Sequence, residues 1–386
     1  MGGRSRILYV VLAVVALAAP ATAAADSIVF IKGGNVHLLG EQGSLRLTDG
    51  GGYESPSMAD DGTVVAIRAT DAGGSVVRHV HRMDLTGRLL NPPTVAVPVD
   101  NSNYTGPLGA QVSPDGRLVA FHYFNRGAAN PRPEMPRVAI APTDRDLGDL
   151  GDIFAQGYYL NPSWIGSATI VLFGTPGFIP NVQTYTIGSE GIADWFDAPG
   201  VGHLGGGELS ADGTRFAATV DGGSVLQLFG QSAPPPAAPQ PTCRFSGAEG
   251  QFHRPRWSPD GTELVWEQPD GLHVADVPAI DDCPNIREGL IAAGGTDPDW
   301  GPADVPVQTK PVIQRYALAV AVKLGCPSAC RIVIRLVQKG RTISRRAKRL
   351  TAAGTARLVL PKKGRKGKAT LLIAVDGKVS RKAVRL

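Results

Sequence analysis

The chain reads as all-β, a ring of repeated four-stranded sheets followed by a small second β module, and three observations lead there. First, a tight turn returns along the chain. It is Trp257-Ser258-Pro259-Asp260-Gly261 before Leu264-Val265-Trp266, Val112-Ser113-Pro114-Asp115-Gly116 before Leu118-Val119-Ala120-Phe121, and Leu209-Ser210-Ala211-Asp212-Gly213 before Phe216-Ala217-Ala218. Second, weaker copies fill the gaps, so the position of Trp257 recurs at 58, 112, 164, 209, 257 and 300, with spacings of 54, 52, 45, 48 and 43 residues. Third, short alternating runs broken by glycine take over after residue 311, and the charge changes sign. A four-stranded propeller blade takes about 40 to 50 residues, so six copies predict a six-bladed β-propeller, and the tail predicts a small β-sandwich.

The turn explains itself chemically. Pro259 and Asp260 suit the centre of a type I turn, and Gly261 supplies the positive φ that lets a short hairpin loop follow strand twist. With Pro255-Arg256 ahead of it and an apolar strand behind, the unit resembles the WD-repeat-like units of TolB-type β-propellers, over residues 27–302. Only the fifth copy is complete: Trp164 lacks the Asp-Gly, and Met58, Val112 and Leu209 replace the aromatic. The resemblance implies a ring closed by an amino-terminal segment. The motif itself is a turn and carries no chemistry.

In chain order, Arg4 and Arg6 precede an apolar run over residues 7–19, and Ala23-Ala24-Ala25 supplies small residues before Asp26. Residues 1–25 therefore read as a secretory signal peptide, the run being shorter than the roughly 20 residues of a spanning helix. The expected destination is the periplasm, cell wall or extracellular space. Residues 26–304 form the propeller, 305–311 a linker and 312–386 the sandwich. Apolar runs at 27–31, 35–39 and 45–48 read as the second, third and fourth strands of a blade lacking its first. That first strand lies near residues 297–302, so joining the two ends closes the ring and removes an open sheet edge. The proline-containing stretches 125–137 and 231–243 read as surface loops, since proline is excluded from central strands.

Four cysteines in an exported chain point to disulfides and allow three pairings. Cys243 with Cys283 and Cys326 with Cys330 is favoured, because the first two precede their blade tryptophans by 14 and 17 residues. A zinc site at Cys326 and Cys330 lacks a second ligand pair.

Residues just before each Trp-equivalent position return the chain to the next inner strand, and are expected to line one mouth of the central channel. They include Glu54, Asn161, His203, Glu208, His253, Arg254, Arg256, Asp297 and Asp299. Such funnels bind ligands or peptides, and an envelope protein or peptide is the expected partner. His79 and His81 share a strand face but lack a third ligand, so they read as surface residues, and Asp100-Asn101-Ser102-Asn103 lacks the spaced carboxylates of a calcium loop.

No Gly-x-Ser-x-Gly elbow occurs, and in the Ser-x-Asp turns glycine follows Asp directly, unlike a sialidase-type Asp box. No catalytic residue, metal or cofactor is assigned. The expected role is a non-catalytic interaction scaffold, and its rival is a glycosidase- or lyase-type propeller acting on a polysaccharide through His203, His253, Arg254 and Asp297.

Alternating runs at 316–324, 330–337, 342–350, 355–360, 369–375 and 378–386 resemble the immunoglobulin-like modules appended to exported bacterial proteins. Past residue 309 there are 21 Lys and Arg against the single acid Asp376, a net of +20, while residues 26–309 hold 16 against 33, a net of −17. The densest cluster, Lys362, Lys363, Arg365, Lys366 and Lys368, is expected at an exposed hairpin tip, where it would meet an anionic envelope polymer or membrane surface. Docking on the acidic propeller and simple solvation are the alternatives. Specific nucleic-acid recognition is not expected, and the chain is expected to be a monomer.

Overall fold

The central apolar runs of the repeat are continuous, where a sheet with one wet face would alternate. Each sheet must then be covered on both faces, and a ring of neighbours does this without adding helices. The computed structural model describes residues 26–40, 43–71, 76–96, 104–125, 135–146, 155–179, 182–303, 312–315, 319–326, 330–350, 354–362, 365–375 and 378–386. The expected leader, the linker, the stretch 100–103 and Lys363 lie outside the described residues.

The chain opens with β1 (Ser27–Lys32), β2 (Asn35–Gly40) and β3 (Gly43–Arg46). The next sheet holds β4 (Tyr53–Met58), β5 (Val64–Asp71) and β6 (Val76–Met83), extended among the described residues by isolated bridges from Val80 to Thr94 and Met83 to Leu89. It is followed by β7 (Tyr104–Val112), β8 (Leu118–Asn125), β9 (Met135–Pro142) and β10 (Ala155–Gly157). Next come β11 (Tyr159–Ile165), β12 (Thr169–Gly174), β13 (Val182–Thr186) and β14 (Ile192–Phe196). The fifth group is β15 (Leu204–Leu209), β16 (Arg215–Val220), β17 (Val225–Gly230) and β18 (Gln240–Ser246). The last is β19 (His253–Trp257), β20 (Glu263–Gln268), β21 (Gly271–Asp276) and β22 (Glu288–Ala293). Strand β23 (Gly295–Gly301) then returns to pair with β1, in the order β23-β1-β2-β3.

The closing register sets Ile28 against Trp300 and Val29 against Asp299. The inner strands β23, β4, β7, β11, β15 and β19 touch one another in that order and back to β23. An apolar cluster fills each gap between neighbouring sheets. Val29 and Ile31 meet Val64 and Ala66, Val65 and Ile67 meet Val119 and Phe121, and Ala120 and Val138 meet Ile170 and Leu172. Val171 and Phe173 meet Phe216 and Ala218, Leu226 and Leu228 meet Leu264 and Trp266, and Ile28 and Phe30 meet Val265 and Leu272. The last pair closes the circle. The protein is an all-β propeller closed by its amino-terminal strands.

The repeated turn has one hydrogen-bond plan. Ser258 Oγ donates to Asp260 Oδ1 at 2.7 Å and accepts from Glu263 N at 2.9 Å, while Gly261 N donates to Ser258 O at 2.8 Å. The same three bonds recur around Ser210 and around Ser113. Donation from Ser258 Oγ and Thr262 N stabilises the Asp260 carboxylate and lowers its pKa.

Three expectations need correcting. Residues 135–137, expected in a surface loop, begin β9 between β8 and β10, where Pro136 stands opposite Phe124 and precedes the three residues that β10 pairs. Residues 240–243, expected in a surface loop, begin β18, where Pro241 sits at the sheet's outer edge and costs no ladder bond on its free side. His81, expected on the surface, is buried on β6 with Nδ1 3.3 Å from Tyr53 Oη, because the neighbouring sheet covers its face. Burial first, then nearby Arg68, pushes its imidazole down to about 4.

Past residue 311, β24 (Val312–Arg315), β25 (Ala319–Cys326), β26 (Cys330–Gln338), β27 (Arg341–Leu350), β28 (Gly354–Pro361), β29 (Lys368–Val375) and β30 (Lys378–Arg385) form two sheets. Their orders are β24-β25-β28 and β27-β26-β29-β30, and they share a core of Val322, Leu324, Ile332, Ile334, Leu358 and Ile373. Disulfides join Cys243 to Cys283 and Cys326 to Cys330, the pairing the spacing favoured. The segment 362–368 is not a hairpin tip: it links β28 of one sheet to β29 of the other, and Lys362 is only 8% exposed. Arg365, Lys366 and Lys368 are exposed.

Deleting residues 26–48 removes the three strands that complete the closing sheet, and opens the Phe30–Val265 and Val29–Val64 interfaces. We expect the cooperative unfolding transition of the propeller to be lost, while trimming residues 378–386 leaves it in place. An unchanged midpoint and slope in denaturant for the first deletion would contradict ring closure.

Candidate functional site

Each inner strand runs along the channel, so its successive residues occupy successive depths, about 3.4 Å apart. Five of the six inner strands carry a residue in the left-handed region three positions before the Trp-equivalent. These are Ser55 (φ 49°), Gly109 (φ 56°), Asn161 (φ 44°), Arg254 (φ 48°) and Asp297 (φ 53°). The ladder register shifts around all five, and on β15 it shifts between Leu204 and Gly206. A bulge re-aims the side chain it carries, and non-glycine residues hold this conformation at a cost. Here it directs a ring of side chains toward the channel.

Arg254, Asp297 and Ser55 meet across this ring. Arg254 Nε lies 2.9 Å from Asp297 Oδ1, Arg254 Nη2 donates to Ser55 Oγ at 3.3 Å, and Ser55 N donates to Asp297 Oδ2 at 3.0 Å. Asp297 N donates to Glu267 Oε2 at 2.8 Å, and burial raises the Glu267 pKa. Arg254, Asp297 and Glu267, with Asn161 and His253, line a cavity of about 330 Å³. His122 lies behind them, 3.5 Å from Asn161 N. Burial, then the Arg254 charge, pushes its imidazole down to about 3, so the ring is neutral.

Two residues further along each strand lies a second ring: Ser57, Gln111, Ser163, Glu208, Arg256 and Asp299. Arg256 and Asp299 are 7% and 6% exposed and pair at 3.2 Å. Asp299 Oδ2 also accepts from Ser57 Oγ at 2.9 Å and Met58 N at 2.8 Å, and Ser57 Oγ accepts from Val112 N at 3.0 Å. With its amide turned to satisfy both ends, Gln111 accepts from the Arg256 guanidinium and donates to Pro162 O at 3.1 Å. Glu208 Oε2 accepts from Trp257 N at 2.6 Å. Burial, and then nearby Asp299, raise the Glu208 pKa against the opposing pull of Arg256, to about 8. Burial likewise raises Asp299 against the same arginine.

The second ring separates the first cavity from another of about 540 Å³ on the turn side. That cavity is lined by Trp164, Trp257 and Trp300, with Pro114, Pro259 and Pro302 at its rim. The nine residues expected at one mouth are therefore split by depth. Asn161, His253, Arg254, Arg256 and Asp297 line the smaller cavity, and Glu208 and Asp299 the larger. Glu54 instead pairs with Arg78 at 2.6 Å, and His203 N donates to Asp221 Oδ1 at 2.8 Å; neither lines either of these two cavities. Four residues of strand span about 10 Å from first to last, so neighbours in sequence reach different mouths.

Sequence reasoning missed Ser57 and Gln111, although counting one residue back from every Trp-equivalent position finds both. It also missed Ser55, Glu267 and His122. The last two sit on second strands, where no repeat mark flags them. Among the described residues no group of three or more His, Cys, Asp and Glu is placed to hold a metal ion, and no helix is long and apolar enough to cross a membrane.

No family model matches the chain, and no curated protein matches it. Solved structures do. TolB from Acinetobacter baumannii is 15% identical with a TM-score of 0.47, over 71% of this chain and 66% of that one. The periplasmic gluconolactonase PpgL of Pseudomonas aeruginosa is 13% identical with a TM-score of 0.44, over 87% and 99%. A puromycin-hydrolyzing peptidase of Mycobacterium tuberculosis is 18% identical with a TM-score of 0.43, over 79% and 48%. The chain spans just under two thirds of the TolB structure and about half the length of that peptidase and of two prolyl endopeptidases. Likeness at these levels transfers no activity.

Two substitutions test the inner ring. Asp299→Asn leaves the Arg256 guanidinium buried without its counter-charge and should destabilise the propeller by about 3–5 kcal/mol in denaturant unfolding. A loss below about 1 kcal/mol would show the pair to be solvated. Glu208 favours its protonated form in the folded state, so its contribution is present at acid pH and is lost as pH climbs from the ordinary carboxylate range towards about 8. Glu208→Gln keeps an acceptor for Trp257 N, and its melting temperature should fall less over that window than the parent's. Parallel curves for the two proteins would place Glu208 in water.

Proposed function

We propose that the chain is an exported, non-catalytic interaction protein with a propeller over residues 26–304, a linker over 305–311 and a basic module over 312–386. Its channel receives part of a protein or peptide partner, and its module contacts an anionic surface. Export is supported by the disulfides, which persist in oxidising compartments, together with the expected leader.

One observation carries the non-catalytic assignment: the charged groups of the channel are engaged with one another and with backbone amides. Asp297 holds Arg254 and Ser55 N, and Asp299 holds Arg256, Ser57 Oγ and Met58 N. A general base has to present a free oxygen to substrate, and both oxygens of Asp297 and both of Asp299 are already bonded within the ring. What the turn side offers instead is contact area: a cavity of about 540 Å³ walled by three tryptophans, within the size range of ligand pockets.

The rival, a polysaccharide-cleaving enzyme acting through His203, His253, Arg254 and Asp297, keeps the last three in the smaller cavity beside Glu267, while His203 lies outside that cavity. Screening full-length protein, Arg254→Ala and Asp297→Ala against a panel of uronate and neutral polysaccharides separates the two. We expect no turnover by any of the three. Turnover that the folded alanine variants lose would establish the enzyme instead. For the module, the full chain should bind anionic polymer at low salt and release it as salt rises, since the screening length falls from about 10 Å at 0.1 M to about 3 Å at 1 M. A chain ending at residue 309 should not bind. Equal binding by that truncated chain would sink this half of the proposal.

A further inference from the structure

In the basic module the conspicuous charge run is the segment 362–368, yet the strand register assembles a denser arrangement elsewhere. The sheet β27-β26-β29-β30 turns one face to the core and the other outward. On the outer face Arg345 stands opposite Arg335, Arg335 opposite Leu372, and Leu372 opposite Arg381. The next outward row is Ala347, Val333, Ala374 and Val379, all apolar, with Val379 60% exposed. Beyond it, Arg349 stands opposite Arg331. The guanidinium rows are therefore four residues apart, about 14 Å, with an apolar strip between them. Together they form a groove of about 390 Å³.

Two features make this more than a solvated surface. Like charges directly opposite each other destabilise a sheet, and Arg335–Arg345 and Arg331–Arg349 are two such pairs in one ladder. No acidic residue occurs in any of the four strands, so the strands themselves supply no carboxylate to offset the repulsion between Arg335 and Arg345. Arg335, Arg345, Arg349 and Arg381 are exposed. The planar guanidinium fork matches carboxylate and phosphate oxygens two at a time.

We propose that this outer sheet face is the module's binding site for a linear polyanion with carboxylate or phosphate groups on successive units. The polymer backbone lies along the Val333–Ala374 strip, with its anionic groups on the arginine rows to either side. The inference rests on the preceding one, that the module meets an anionic partner, and it moves the contact from the 362–368 segment to the sheet. An open face suits a long polymer better than a compact small molecule, which needs a concave pocket.

The test compares two full-length variants carrying the same change in net charge: Arg335→Gln, Arg345→Gln and Arg381→Gln on the face, and Arg365→Gln, Lys366→Gln and Lys368→Gln on the segment. Binding at low salt is measured to polygalacturonate and to polyphosphate, with dextran as the neutral blank and anionic phospholipid vesicles as the competing surface. The face variant should bind about tenfold more weakly and the segment variant within about twofold of the parent. Preference between the two polymers identifies carboxylate or phosphate as the group read. Val379→Glu, a single change on an exposed strand position, should also weaken binding, and it keeps the test open if the triple variant fails to fold. Equal losses in the two triple variants would mean diffuse attraction and overturn the site, as would binding to vesicles with none to either polymer. If the chain ending at residue 309 bound as well as the full chain, both this inference and the one beneath it would fall. If only the face variant behaved like the parent, the site alone would fall.

Discussion

Everything in the propeller depends on the pairing of β1 with β23. A sheet edge with unpaired amides and carbonyls is a template for association, and a ring has none only if its ends meet. Here the ends meet across 276 residues, with Ser27 Oγ also bonded to Ala303 O. The apolar interfaces on either side share the same dependence, since Phe30 packs towards Val265 while Val29 packs towards Val64. The closure thus completes two cores, which is why four short amino-terminal residues with no charge, Ile28 to Ile31, are buried to 6% exposure or less.

The channel inherits its chemistry from the same seam. Asp299 lies on the closing strand, and its carboxylate reaches Ser57 and Met58 on the first complete inner strand, so the polar ring is sewn through the join. The bulges serve a related purpose. A regular strand would turn successive side chains alternately into the two interfaces, leaving the channel lined by backbone. The left-handed residue lets Arg254, Asp297 and Asn161 project inward, and the well-packed sheets behind them offset the conformational cost.

The architecture was legible because a turn has to be spelled out locally. Ser258, Asp260 and Gly261 each satisfy a backbone requirement within five residues, and the Asp-Gly step is spelled out in four of the copies even where Trp257 becomes Met58, Val112 or Leu209. Closure was legible for a complementary reason: three strands without a first and one strand without its followers leave a single solution. The site was only half legible. Counting back from the turn reaches Arg254, Arg256, Glu208 and Asp299, but it gives no depth along the channel, so residues facing different mouths were grouped together. Glu54 is held by Arg78, and His203 lies one residue before β15 begins, so counting back from the turn overshoots the cavity at both. His81 was misplaced because strand alternation predicts which residues share a face, and says nothing of what covers that face.

Charge in the carboxy-terminal module shows the same limit in two dimensions. Lys362 to Lys368 is visible in the sequence because its cations are contiguous, whereas Arg331, Arg335, Arg345, Arg349 and Arg381 are scattered over fifty-one residues. Antiparallel pairing brings them within a few strand spacings of one another, and the period of two keeps them on one face. On β26 segregation follows as well, because the core residues Ile332, Ile334 and Leu336 occupy the alternate positions and leave Arg331 and Arg335 no other side to face. A fold that opposes like charges in this way gains stability from whatever counter-charge it binds. An anion that holds the folded face and ignores the unfolded chain stabilises the module by mass action, so its melting point carries information about the ligand before the ligand is identified. The apolar core between the two sheets fixes the arginines in register, and that register, more than the net charge, decides which spacing of anions the face can read.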